Sequence, residues 1–215
     1  MTLPIVILGG GGHARVVAEA LRAAGHVVVG YVARSRTPGF SSVLSHLGTD
    51  AALGGAGLRP ADVALANGIG PRPREGRELR AALHHALKRR GFAFATVLHP
   101  AATVAGGVVL EEGCQVMAGA VVQPGVRLGV GAVVNTRAVV DHDGTVGAHA
   151  HVAPGAVLCG AVRVGDEAFV GASATIVPRV VVGRGALVAA GALVRRNVAA
   201  GACVMGVPAR VCGRR

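Results

Sequence analysis

The chain has 215 residues, of which 52% are hydrophobic and only 2% aromatic. Its formal net charge is +11, carried almost wholly by arginine, with Lys88 the sole lysine. That length suggests one or two domains, and so few aromatics argue against an aromatic-packed globular core and against a base-stacking platform for nucleic acid. The arginines are scattered, without a basic stripe, so the charge suits small polyphosphates or a generally basic solvated surface better than a nucleic acid.

Ile5 to Leu8 is an apolar run that ends in Gly9-Gly10-Gly11-Gly12-His13, which predicts a buried strand and a glycine-rich turn. Ala14 to Ala24 has helical spacing at Val17, Ala20, Leu21 and Ala24, and Val27 to Val32 predicts a second strand. Residues 33–60 are irregular, with a short helix expected near 41–47. Val63 to Ala66 predicts a third strand, followed by Asn67-Gly68-Ile69-Gly70. A charged helix is expected from about Arg74 to Arg90, then a fourth strand over Phe92 to Val97. Strand, glycine turn, helix and strand make a small α/β unit with a parallel sheet over residues 1–97. Its glycine loop, at a helix N-terminus, is suited to a phosphate. Gly9, Gly11 and Ala14 match a dinucleotide fingerprint only loosely, and Ala33-Arg34-Ser35 stands where the acidic ribose ligand belongs. NAD and FAD are therefore disfavoured. A mononucleotide, a sugar-nucleotide diphosphate or a merely tight turn remain.

From Leu98 to Ala199 the pattern changes to seventeen hexapeptides in unbroken phase. Every sixth residue is aliphatic, from Leu98, Val104 and Leu110 through to Val182, Val188 and Val194. A small or medium residue stands four places after each, as at Ala102, Cys114 and Ala132. A fixed six-residue period of this length predicts a parallel β-helix. The aliphatic residue points into the prism, and the small residue is expected to let the chain bend at the corner. Three hexads make one triangular coil, so residues 18 apart stack at about 4.8 Å. Residues 200–215 leave the phase and are expected to cap the open end.

Mean hydropathy is high at +0.55. A long uncharged stretch, Gly144 to Val162, contains glycine and proline and reads as β-coils rather than a membrane span. MTLPIVILGG has no basic n-region or cleavage site, so no signal peptide is expected. Cys114, Cys159, Cys203 and Cys212 form no CxxC pair and read as reduced thiols in a cytoplasmic protein.

The most informative polar cluster is Asp141-His142-Asp143, followed by His149 and His151. His142 takes an outward place near a corner, with Gly160 stacked beside it 18 residues on. An imidazole beside carboxylates and facing small residues suits a general base. An exposed turn histidine next to solvated acids is the plain alternative. A zinc site needs three converging ligands, and His149 and His151 stand too close together near a corner for that reading to be favoured.

Four stretches occur together and in order: Leu8-Gly9-Gly10-Gly11-Gly12-His13-Ala14; Leu98-His99-Pro100-Ala101-Ala102; Asn135 to Asp143; and Gly206-Val207-Pro208-Ala209-Arg210. With them the chain resembles the NeuD-like family of sialic acid O-acetyltransferases, which includes N-acetyltransferases of nucleotide-linked 4-amino sugars. The resemblance spans essentially the whole chain. It implies a left-handed β-helix, a homotrimer, acetyl-CoA held between adjacent subunits' coils, and a sugar-nucleotide at the N-terminal unit. It implies His142 as catalytic base with Asp143 as supporting acid. His151, Gly160, Ala161 and Ala190 are implied at the acetyl-CoA, and Gly10, Gly11, Gly12, His13, Asn67 and Gly68 at the substrate. Where the family commonly has an acid after the second strand, this chain has Ala33-Arg34-Ser35, and the family's Gly-Asn or Gly-Asp is here Asn67-Gly68.

The function so implied is acetyl transfer from acetyl-CoA to the amine of a nucleotide-linked 4-amino sugar, with no metal, nucleic acid or membrane partner. O-acetylation of a sugar hydroxyl, acetylation of another amino-sugar acceptor, and a non-catalytic polyanion-binding solenoid are the alternatives.

Overall fold

Ile5–Leu8 (β1), Val28–Val32 (β2) and Ala64–Asn67 (β3) are short apolar runs, and they pair in parallel in the order β2-β1-β3. The computed structural model describes residues 3–54, 57–70 and 75–212. It divides into two compact units, Met1–Pro100 and Ala101–Arg215.

In the first unit, helix α1 (Gly12–Ala23) buries Ala14, Val17, Ala18 and Leu21 on one face. It stops where Gly25 takes φ +80° and the His26 N–H closes onto the Leu21 carbonyl. Helix α2 (Glu75–Arg89) buries Arg80, Ala81, His84 and Leu87, and Leu87 joins Val6, Leu8, Val32, Leu65, Phe92 and Phe94 in the core. Arg74, the expected first residue of this helix, lies outside the described residues.

Two expectations change here. Residues 41–47 are not helical. Phe40 to Leu44 fold as successive turns, in which Ser41 Oγ donates to the Thr37 carbonyl and Ser42 Oγ to that of Gly39. Hydroxyls that bond nearby carbonyls compete with helical bonding. The second change is that Phe92 to Val97 is not one strand. A single bridge joins Phe94 to Leu65, and the chain re-forms a strand only at Val97–Leu98. Continuing the ladder would need the Asn67 carbonyl, which accepts from Arg80 Nη1 instead, at 3.2 Å.

The second unit is a solenoid. Two-residue strands recur every six residues, and each pairs in parallel with the strand 18 residues away. One face runs Gln115–Val116, Val133–Val134, His151–Val152, Phe169–Val170 and Leu187–Val188. Val116, Val134, Val152, Val170 and Val188 all point inward and are buried. The corners differ from expectation. The small residue, such as Ala132, Ala138 or Ala150, is fully buried packing inside the prism. The bend is made one residue earlier, by a residue with φ between +55° and +78° in every hexad from Gly107 to Gly191. Seven of these are not glycine, Asp143, His149 and Ala161 among them. Their left-handed conformation costs on the order of 1–3 kcal/mol each. It is held by the stacked corner below, as when the Asp143 N–H donates to the Pro124 carbonyl at 3.0 Å.

The phase slips once. Val198 bridges Val182 and Val204 pairs with Val188, 16 rather than 18 residues apart, so the corner after Val194 is two residues short. Asn197 Oδ1 accepts from the Val181 N–H at 2.9 Å there. The chain then turns back, with Arg210–Val211 antiparallel to Cys203–Met205 at the open end. Residues 213–215 of the expected cap lie outside the described residues.

The stacked aliphatic ladder sets a stability prediction. Leu158 is fully buried between Val140 and Ile176 of the adjacent coils. Leu158→Ala is expected to cost about 2–5 kcal/mol in chemical denaturation. A loss below about 0.5 kcal/mol, the range of surface substitutions, would show that the column is not the solenoid's core.

Candidate active site

Each coil has three corners, and His142 stands at one of them, two residues past the inward Val140. The 18-residue register places Pro124 below it and Gly160 above. The two acids flanking His142 have separate tasks. Asp141 Oδ1 accepts from the His142 backbone N–H at 2.8 Å, which fixes the main chain. Asp143 Oδ2 is 2.9 Å from His142 Nδ1, which fixes the ring. With Nδ1–H donating to that carboxylate, Nε2 carries the lone pair. The bond to Asp143, then the charge of Asp141, raise the imidazole's pKa above its ordinary value.

Gly160 is what gives the ring its place. A Cβ built on Gly160 would lie 2.5 Å from His142 Nε2 and 2.7 Å from Cε1. Any side chain there would displace the imidazole. Ala161, the left-handed corner residue, donates its N–H to the His142 carbonyl at 2.8 Å. That amide is therefore spent on stitching the coils together.

Other expected residues lie elsewhere on the solenoid. His149 is at the next corner, buried, with its ring close over Gly131. His151 is on a face, also buried, and its ring stacks on Phe169 at 5.0 Å and 17°. Ala190 is exposed at a third edge, in the column of Thr136, Pro154 and Ala172. Within one chain, then, His142, Gly160 and Ala161 come together and His151 and Ala190 stand apart. Among the described residues, no group of three or more His, Cys, Asp or Glu is placed to hold a metal.

The glycine loop and the Asn67–Gly70 loop meet in the first unit. Gly11 and Gly12 are exposed at the start of α1, and a Cβ on either would meet nothing within 4 Å. Gly10 is buried, where a Cβ would lie 2.4 Å from Thr37 Oγ1. Gly68 packs on α1 so closely that a Cβ would lie 2.8 Å from Ala14 Cβ. His13 lies beside Gly70. Asn67 is buried, its Oδ1 accepting from the Ile69 N–H and its Nδ2 donating to the Arg80 carbonyl. Gly11, Gly12 and His13 thus form the open part of this loop pair, and Gly10, Asn67 and Gly68 build its frame.

Sequence reasoning passed over Arg80, which is 1% exposed beneath the Asn67–Gly70 loop. The available signal was spacing, because Arg80 shares a helical stripe with His84 and Leu87. No described helix is long and apolar enough to cross a membrane.

Comparison with known proteins bears on both sites. Residues 4–70 match the PglD N-terminal domain family. PerB from Caulobacter crescentus, solved with CoA and GDP-perosamine, is 37% identical, with 98% of this chain and 97% of that chain covered and a TM-score of 0.88. The acetyltransferase domain of PglB from Neisseria gonorrhoeae FA1090 is 31% identical, with 97% and 99% covered and a TM-score of 0.89. The same PglB domain solved with acetyl coenzyme A is 30% identical, with 99% and 100% covered and a TM-score of 0.87. No curated protein matches the chain. The second unit has the architecture of the left-handed parallel β-helix of hexapeptide-repeat acetyltransferases.

Proposed function

The chain belongs to the NeuD-like family of sugar acetyltransferases, and from that membership we propose that it acetylates the amine of a nucleotide-linked 4-amino sugar with His142 as general base. The protein is an acyltransferase with acetyl-CoA as co-substrate. The observation that carries the base assignment is the His142–Asp143 bond at 2.9 Å, with Nε2 directed over Gly160.

In this reading the amine nitrogen attacks the acetyl carbonyl carbon. The carbon–sulfur bond breaks from the tetrahedral intermediate, CoA leaves as thiolate, and the proton of the new ammonium passes to His142 Nε2. Asp143 holds the ring in the tautomer that can take this proton. Asp141 fixes the main chain that carries it. Much of the rate comes from holding amine and thioester in register. Oxyanion stabilisation falls to a donor other than the Ala161 amide, which is occupied.

The sugar-nucleotide is assigned to the first unit, its diphosphate at the Gly11–Gly12 opening of α1. A homotrimer supplies the acetyl-CoA groove. His142 and Ala190 lie on different edges of one prism, so a groove that uses both needs edges from two copies. A sedimentation mass of one chain would remove that part.

The test is CoA release, followed with a thiol reagent, across UDP-, dTDP- and GDP-linked 4-amino sugars. Release is expected with at least one of them. Release with none would end this reading. The pH dependence is a second check. His142 works as the neutral base, and Asp143 raises its pKa. Removing that acid lowers the pKa, so the neutral form persists to lower pH. In Asp143→Asn the acid limb of the kcat/KM profile is expected to shift to lower pH, with a reduced plateau. A limb that stays in place, or moves to higher pH, would separate Asp143 from the ring's titration.

A further inference from the structure

Arg80 is a fully buried cation that the transfer chemistry does not use. Its Nη1 donates to the Asn67 carbonyl at 3.2 Å and to the Ile69 carbonyl at 2.5 Å. Its Nη2 is buried without a partner, and no carboxylate among the described residues pairs with it. Burial lowers its pKa to about 10, which leaves it charged at neutral pH. A buried guanidinium that pairs with no described carboxylate is costly to keep, so its place calls for a reason.

That reason lies on the other side of the loop. Residues 67–70 are wedged between Arg80 and the first turn of α1, with Gly68 against Ala14 and Gly70 beside His13. Two of the loop's carbonyl oxygens, those of Asn67 and Ile69, are drawn down onto the guanidinium. Both oxygens are thereby held on Arg80, in a loop that packs against the first turn of α1, before which Gly11 and Gly12 leave open space. A carbonyl oxygen facing that opening would repel an anion, whereas the amides of a helix N-terminus attract one.

We infer that Arg80 is a positioning residue for the substrate's diphosphate: by holding the Asn67 and Ile69 carbonyls it keeps those two oxygens from the opening at Gly11 and Gly12, and it adds a buried positive charge to the loop beside it. This rests on the assignment of the sugar-nucleotide to the first unit. Arginine suits the task because one planar fork reaches two carbonyls at once. Lysine keeps the charge and loses the fork. Glutamine keeps a donor and loses the charge.

The experiment compares wild type, Arg80→Lys and Arg80→Gln, using whichever nucleotide amino sugar the wild type acetylates. It reads kcat, KM for the sugar-nucleotide, KM for acetyl-CoA, and Tm. Binding of UDP and GDP alone is measured by calorimetry. Arg80→Gln is expected to raise the sugar-nucleotide KM by roughly tenfold to a hundredfold, the scale of a misplaced binding group. Arg80→Lys is expected to fall between it and wild type. The acetyl-CoA KM should hold in both, and nucleoside diphosphate binding should weaken in the same order. An unchanged sugar-nucleotide KM in either folded variant would overturn the inference. So would an equal worsening of both KM values with a lowered Tm, which is the mark of a purely structural bolt. Failure of the wild type to acetylate any nucleotide amino sugar would instead count against the functional reading. In that case unchanged nucleoside diphosphate binding in Arg80→Gln would still overturn the inference.

Discussion

His142→Ala is expected to lower kcat/KM by roughly 10²–10⁴, the usual size of a general-base loss, with Tm unchanged. The two halves of that expectation come from the same geometry. The ring is exposed and held by a single hydrogen bond to Asp143, so removing it opens no cavity in the solenoid. The main chain at this corner is fixed independently, by Asp141 at the His142 N–H and by the Ala161 N–H at the His142 carbonyl. Activity and stability should therefore separate cleanly. Near wild-type turnover across the pH range would remove His142 from the proton transfer.

Gly160→Ala is expected to cost about as much activity through a methyl group alone. Its Cβ would stand 2.5 Å from Nε2, so the imidazole must swing aside and loosen its bond to Asp143. A misplacement of about 1 Å is worth on the order of a hundredfold in rate. The ring is the far end of a flexible side chain, so the fold yields easily and Tm should barely move. The decisive form is a double-variant cycle. In a His142→Ala background the Gly160→Ala change should cost almost nothing more, since groups that act as one unit are strongly non-additive. A full additional loss in that background would mean that Gly160 acts on the co-substrate directly rather than through the histidine.

The stacking of Gly160 on His142 was legible in the sequence, because an 18-residue coil makes vertical neighbours a matter of subtraction. The inward aliphatic column was legible for the same reason. The corner mechanism was not. A small residue at a fixed place reads as the bend itself, yet Ala132 and Ala150 turned out to be core residues, with the bend at Gly131 and His149 before them. The phase slip was hidden by chemistry, since Val194 and Val198 are both aliphatic and satisfy either register. In the first unit, Ser41 and Ser42 gave no sign that their hydroxyls would claim the turn carbonyls. Arg80 was the hardest to see. An arginine in a charged helix reads as solvated, and only tertiary packing places it under a loop, where it also ends the ladder beside β3.

Where the acetyl group goes decides which reaction the protein performs. The direct measurement is carbon-13 NMR of the product formed from acetyl-CoA labelled in the acetyl carbonyl and a nucleotide-linked 4-amino sugar. The predicted spectrum shows the label in an amide, coupled to the proton on the amine-bearing sugar carbon, with formation suppressed in His142→Ala. Label recovered as an ester on a sugar hydroxyl, or as free acetate at the same rate in wild type and His142→Ala, would contradict it.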